Sequence, residues 1–140
     1  MANTMKEGHH MPLLQFHLVR HAWTKEQVQT ILDTAYDVTR EAFHAPAGDR
    51  YQIVSYHEPE ELVMEDTGLG FTRTNKRILL SIRTRPRTQE EKITFYRLLH
   101  DQLQQKLELD DHDLMINLVE NQDEDWSFTS GKAQFITGEL

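Results

Sequence analysis

The chain contains no cysteine, so neither a disulfide framework nor thiolate chemistry is available to it, and a reducing cytoplasm suits such a composition. It also lacks an apolar run near the roughly 20 residues that a membrane-spanning helix needs, and its first residues carry no apolar segment of the secretory type. Basic residues are in the minority, 15 Lys and Arg against 23 Asp and Glu, for a net charge of -8. A nucleic-acid surface requires a basic patch, so this balance speaks against nucleic-acid partners. The eight histidines do not fall at metal-ligand spacing, and no serine-histidine-acid order stands out. The 140 residues suffice for one domain with a substantial core and leave no room for a second.

What is present begins at Met11-Pro12-Leu13-Leu14-Gln15-Phe16. Residues 1–11 read as an extension: a vector remnant or tag, an upstream start, or a native tail. The domain itself is expected over 12–140. Pro12 has two readings. As a plain strand opener it costs nothing, because its missing N–H is harmless at an edge. If Met11 is removed, its ring nitrogen becomes a secondary amine able to hold or release a proton.

Leu14, Phe16 and Leu18 alternate with Gln15, His17 and Val19, which predicts a half-buried strand. Thr24-Lys25-Glu26-Gln27 fits a capping box, and Val28, Ile31, Leu32, Ala35, Ala42 and Phe43 continue at helical spacing, giving a helix over about Lys25 to Phe43. Pro46-Ala47-Gly48-Asp49 breaks it, and Tyr51 to Tyr56 reads as a strand. Leu62-Val63-Met64 suggests a short further strand, and Thr67-Gly68-Leu69-Gly70 a glycine-dependent loop.

The pattern then recurs. Sliding the chain by 64 residues lays Thr24 on Thr88, Glu26 on Glu90, Thr30 on Thr94, Asp37 on Asp101 and Asp49 on Asp113 without a gap. Ile78, Leu80 and Ile82 repeat the first strand. Thr88-Gln89-Glu90-Glu91 repeats the cap, Phe95, Leu99, Leu103 and Leu107 the helix, and Leu114 to Val119 the second strand. Strand, cap, helix, breaker and strand recurring in one order predict two β-α-β units. Each crossover is long enough for parallel strands and is expected to be right-handed. The fold class is α/β (α+β), a four-stranded sheet with two helices on one face. The strands look apolar on both sides, so the second face is expected to be covered by self-association.

Three stretches offer chemistry. Arg83, Arg85 and Arg87 alternate along a strand, so they are expected on one side, leading into the start of the second helix. They form either a carboxylate clamp or a set of ordinary surface ion pairs. Asp49 either closes an Asx turn or serves as an acid-base partner. The tail from Asn121 carries Trp126, Phe128 and Phe135, which either pack or line a pocket, in a hairpin or an arm on a neighbouring subunit.

The segments PLLQFHL (Pro12 to Leu18), GDRYQIVS (Gly48 to Ser55), MEDTGLGF (Met64 to Phe71), RTRPRTQEEK (Arg83 to Lys92), ENQDEDWSF (Glu120 to Phe128) and AQFITGEL (Ala133 to Leu140) resemble the tautomerase superfamily. Within it they are similar to the malonate semialdehyde decarboxylase branch, over essentially Pro12 to Leu140. The chain carries one more residue than that branch in the loop near His21-Ala22-Trp23. The resemblance implies an N-terminal-proline enzyme, either a tautomerase or a decarboxylase, that acts on a small oxo acid with no cofactor and no metal. Pro12 would be the catalytic amine and Asp49 its acid-base or water-activating partner. Arg85 and Arg87 would bind the substrate carboxylate, and Phe128 and Phe135 would form an apolar wall. A homotrimer is implied as well. A blocked Pro12 would instead leave a catalytically silent binding or scaffold protein.

Overall fold

The computed structural model describes residues 12–140; the extension read over 1–11 lies outside the described residues. Two β-α-β units follow one another. The first comprises β1 (Pro12–Val19), α1 (Lys25–Phe43) and β2 (Tyr51–His57); the second comprises β3 (Ile78–Thr84), α2 (Gln89–Leu107) and β4 (Leu114–Glu120). Within each unit the strands run parallel, and β1 and β3 meet antiparallel at the centre, giving the order β2-β1-β3-β4.

Both helices start where the sequence places them. The Thr24 hydroxyl accepts from the Gln27 N–H at 3.1 Å while the Thr24 N–H donates to Gln27 Oε1 at 2.9 Å. Thr88 and Glu91 make the same reciprocal pair at 3.1 and 2.8 Å. Each box satisfies two backbone donors that a helix start leaves without partners. The helices also stop at matching places, on His44 (φ 60°) and Glu108 (φ 55°), non-glycine residues in the left-handed region.

The core lies between the helices and one face of the sheet. Leu14, Phe16, Leu18, Ile78, Leu80 and Ile82 pack against Val28, Ile31, Ala35 and Val38 of α1 and Phe95, Leu99 and Leu103 of α2. Each large side chain buried there contributes about 1.5–3 kcal/mol of transfer free energy. Phe43 and Phe95 stack at 4.8 Å and tie the helices together.

The opposite face is less apolar than the alternation suggested. Leu13, Ile53, Leu79, Met115 and Val119 share it with Gln15, His17, Ser55, Ser81, Arg83 and Asn117. Gln15 bonds Ser55 at 3.2 Å, and the His17 and His57 rings meet at 2.8 Å between nitrogens. The loop over residues 63–68 borders this face at Leu79 and Met115, and Tyr51, Ile53, Met115 and Val119 stay exposed on it.

Two local expectations are corrected. Leu62–Met64 forms no strand: a 3-10 turn (Pro59–Glu61) precedes it, and the Leu62 carbonyl accepts from Arg77 Nε at 2.8 Å instead of from a neighbouring strand. The tail is neither a full hairpin nor an arm reaching away. It forms a 3-10 turn (Asp123–Asp125), a single bridge between Thr129 and Lys132, and a short helix, α3 (Gln134–Thr137), folded onto its own chain.

Candidate active site

Pro12 opens β1 and is buried, with Thr84 as its cross-strand partner at the end of β3. Thr84 is buried too, and its hydroxyl accepts from Arg87 Nε at 3.0 Å. The central antiparallel pair therefore brings the head of the first unit to the arginine stretch of the second, although more than 70 residues separate them in sequence.

The three arginines do not share a side. β3 ends at Thr84, so the alternation stops there, and Pro86 offers no N–H to extend a ladder. Arg83 stays exposed on the open sheet face, whereas Arg85 and Arg87 turn inward and are only 5% and 7% exposed. Arg85 Nε donates to Asp123 Oδ1 at 2.8 Å, and its guanidinium lies 4.0 Å from the centre of the Phe135 ring. Arg87 Nη1 donates to the Phe43 carbonyl at 2.9 Å, and its backbone N–H donates to Glu120 Oε2 at 2.9 Å. Burial pushes Arg87 down to about 10, opposed by the charges of Glu91, Asp49 and Glu120 and reinforced by Arg85. Arg87 thus remains a cation at neutral pH, within the field of both Asp49 and Arg85.

Asp49 sits in the loop between α1 and β2. It lines a recess of about 10 Å³ with Pro12, Tyr36, Thr39, Arg50 and Gln52, room for about one water. It also borders a groove of about 330 Å³ walled by Tyr51, Phe128 and Leu140. Asp49 therefore stands between an open groove, of a size used for small ligands, and a narrow recess at Pro12.

The aromatic tail closes the circle. Phe128 lies 6.1 Å from Tyr51 and 5.6 Å from Trp126, ring centre to ring centre, and meets Phe135 edge-on at 5.3 Å. Trp126 Nε1 is anchored on Asn121 Oδ1 at 2.7 Å. The six candidate residues so form one connected arrangement: Pro12 to Thr84 to Arg87, Asp49 to the same recess and to the Phe128 groove, Phe128 to Phe135, and Phe135 to Arg85. The arrangement still opens in two directions, because Arg85 lines a separate groove of about 400 Å³ with Pro86, Gln122, Asp123, Glu124 and Ile136.

Three further residues enter the site that sequence reasoning did not single out. Thr84 and Asp123 hold Arg87 and Arg85, and Tyr36 faces the recess. Register could have suggested Thr84, since it caps the strand that the repeat aligns with β1; spacing gives no signal for Asp123 or Tyr36. Among the described residues no group of three or more His, Cys, Asp or Glu side chains is arranged to hold a metal ion. No helix among them is long and apolar enough to cross a membrane.

Residues 49–129 match the model of a family described as tautomerase enzyme. Probable tautomerase YrdN of Bacillus subtilis (strain 168) is 44% identical over 130 residues, covering 93% of this chain and 100% of that protein. Probable tautomerase YusQ of the same organism is 32% identical over 127 residues, 90% of this chain and 99% of that protein. Among solved structures, a malonate semialdehyde decarboxylase is similar with a TM-score of 0.86 and 45% identity, over 91% of this chain and 98% of that one. It was solved as wild type, inactivated, and as a mutant whose first residue, proline, is alanine, to explain decarboxylase and hydratase activities. A fused 4-OT symmetric trimer, at 17% identity and a TM-score of 0.73 over 90% of this chain and 98% of that one, shares the fold.

Proposed function

The chain belongs to the tautomerase family and is an enzyme of the tautomerase or decarboxylase kind, and from that premise we propose that Pro12, once exposed as the N-terminal residue, is its catalytic group. The substrate is a small oxo acid. The reaction is decarboxylation of a β-keto acid such as malonate semialdehyde, or keto-enol tautomerisation. Arg85 and Arg87 bind the substrate carboxylate, Asp49 is the acid-base partner, and Phe128 and Phe135 form the apolar wall. The observation that carries this reading is the meeting of Pro12 with Asp49 in one recess while Thr84, opposite Pro12, receives Arg87. That the 45% identical decarboxylase was also solved with its first-residue proline changed to alanine supports it.

The chemistry follows from the charges. A free α-amine has an ordinary pKa of about 7.7–8. The buried arginines favour its neutral form and Asp49 its cation, so their balance sets whether Pro12 acts as base or acid near pH 7. As a cation it donates a hydrogen bond to the substrate carbonyl. The bond between the α-carbon and the carboxylate then breaks, its electron pair passes into the enolate, and CO₂ leaves. A proton from the amine returns to carbon. As a base, Pro12 removes the proton beside a ketone and the enolate oxygen takes up a proton to give the enol; in the ketonisation direction the enol O–H is lost and the protonated amine returns a proton to carbon. Cationic guanidinium groups stabilise the enolate in either case.

The working assembly is a homotrimer that covers the open sheet face, and the cytoplasm is its compartment. A chain that keeps residues before Pro12 has an amide there with no usable basicity, and would be a silent binding or scaffold protein.

The test offers malonate semialdehyde and an enolisable aryl pyruvate side by side to a chain beginning at Pro12. CO₂ release, ketonisation or both is expected. Ketonisation without CO₂ release rejects the decarboxylase; neither product rejects the enzyme mechanism based on Pro12.

A further inference from the structure

We infer that Tyr36 is a positioning residue, holding the loop that carries Asp49 against the Pro12 recess; the inference rests on the roles proposed above for Pro12 and Asp49. The Gly48 N–H donates to Tyr36 Oη at 3.0 Å, immediately before Asp49. On the other side of Asp49, Arg50 Nη2 donates to Asp33 Oδ1 at 2.7 Å, and its guanidinium lies 4.7 Å from the Tyr36 ring centre. Gln52 Nε2 donates to the Leu32 carbonyl at 2.7 Å. Leu32, Asp33 and Tyr36 lie three and four residues apart on α1, so one face of the helix straps the loop on both sides of the aspartate. Gly48 has φ +87°, and this backbone conformation aims its N–H at the phenol. Tyr36 itself lines the recess that Pro12 and Asp49 share.

The second unit supplies an internal comparison. The repeat lays His100 on Tyr36 and Asp113 on Asp49. His100 also ties its helix to the loop that follows, with Nε2 2.9 Å from Asp111 Oδ1 and 3.3 Å from the Asp111 carbonyl. There, however, the aspartate is structural: Asp113 is fully buried and accepts from the Thr74 N–H at 2.8 Å and from the Thr74 hydroxyl. The strap is thus common to both units, and only in the first does it hold its aspartate at the recess. A phenol suits that place, because its oxygen accepts from the Gly48 N–H without setting a cation beside an amine.

The experiment follows the pH profile of kcat/KM for chains beginning at Pro12. Asp49→Asn is expected to lower the limb assigned to the Pro12 amine by about 1 unit, since a carboxylate nearby favours the cation. Tyr36→Phe keeps the ring and loses the acceptor; it should move the limb the same way by about half as much, lower kcat and leave KM nearly unchanged. Tyr36→Phe combined with Asp49→Asn should move the limb no further than Asp49→Asn alone. Gly48→Ala is a second variant that disturbs the same bond from the loop side: a Cβ there meets nothing within 4 Å, but φ +87° is strained for alanine. It should shift the limb in the same direction. If Asp49→Asn moves the limb and neither Tyr36→Phe nor Gly48→Ala does, the positioning role of Tyr36 is wrong. A further shift in the combined variant would mean that Tyr36 acts independently of Asp49. If Asp49→Asn itself changes nothing, the role of Asp49 fails and this inference with it.

Discussion

Arg85 and Arg87 stand two positions apart and are both buried, yet they hold different partners. Arg87 donates inward, to the Thr84 hydroxyl and the Phe43 carbonyl, with its guanidinium 4.9 Å from the Phe43 ring centre. It therefore joins the end of β3 to the end of α1. Removing it takes a donor away from the buried Thr84 hydroxyl and the Phe43 carbonyl. Arg87→Ala is expected to destabilise the fold by about 1–3 kcal/mol for each hydrogen bond so lost to a buried acceptor, read from urea unfolding. Arg85 instead faces a groove and bonds Asp123, whose side chain is 47% exposed. Arg85→Ala should keep the fold and reduce kcat/KM by about 2–4 kcal/mol if it binds a desolvated substrate carboxylate; an unchanged kcat/KM would take Arg85 out of the site. The sequence made the pair visible through its spacing but not its division. Which way each guanidinium turns depends on where β3 stops, and that is fixed by pairing with β1 and by Pro86 rather than by the arginines themselves.

The elements were the most legible part of the molecule, because their signals are local. Thr24 and Thr88 define helix starts by hydrogen bonds reaching only three residues ahead, and each Thr→Ala change is expected to cost about 1 kcal/mol of stability in denaturant titration. The connection from Pro59 to Arg77 was not legible. It is held by side chains reaching backbone carbonyls far along the chain, such as Arg77 to Leu62 and Pro59 and Arg73 to His112, and no periodicity encodes such contacts. His100 gives α2 a pH signature. Hydrogen bonding to Asp101, then contacts with Asp111, raise the His100 ring above its ordinary value despite some burial. A raised folded value means that the contribution is complete below about 6.5, the ordinary pKa of histidine. It is lost as pH rises through the folded value. The melting-temperature deficit of His100→Gln should accordingly be larger at pH 6 than at pH 9; equal deficits would show that the ring contributes no charge-dependent stability.

For the whole molecule, the two units place every candidate residue at one end of the sheet, and the antiparallel β1–β3 pair does this by setting Pro12 against Thr84. The repeat predicts two units and a four-stranded sheet but not which strands meet, and the tail's return to Tyr51 and Arg85 depends on aromatic contacts with no sequence period. The open sheet face exposes Tyr51, Ile53, Met115 and Val119, and the proposed trimer would bury it. Ile53→Glu should leave the protomer folded, since this side chain is outside the core, and shift the sedimentation of the assembly toward the monomer; an unchanged assembly would place the subunit contact elsewhere. One peptide bond, between Met11 and Pro12, decides whether the proline nitrogen is an amine or an amide. Two preparations differing only at that bond, one beginning at Pro12 and one retaining Met11, each verified by intact mass, can be compared in kcat/KM on the same oxo acid. The chain with a free Pro12 is expected to be faster by about 10²–10⁴, the usual contribution of a positioned acid or base. Equal rates from the two would contradict the catalytic role of Pro12.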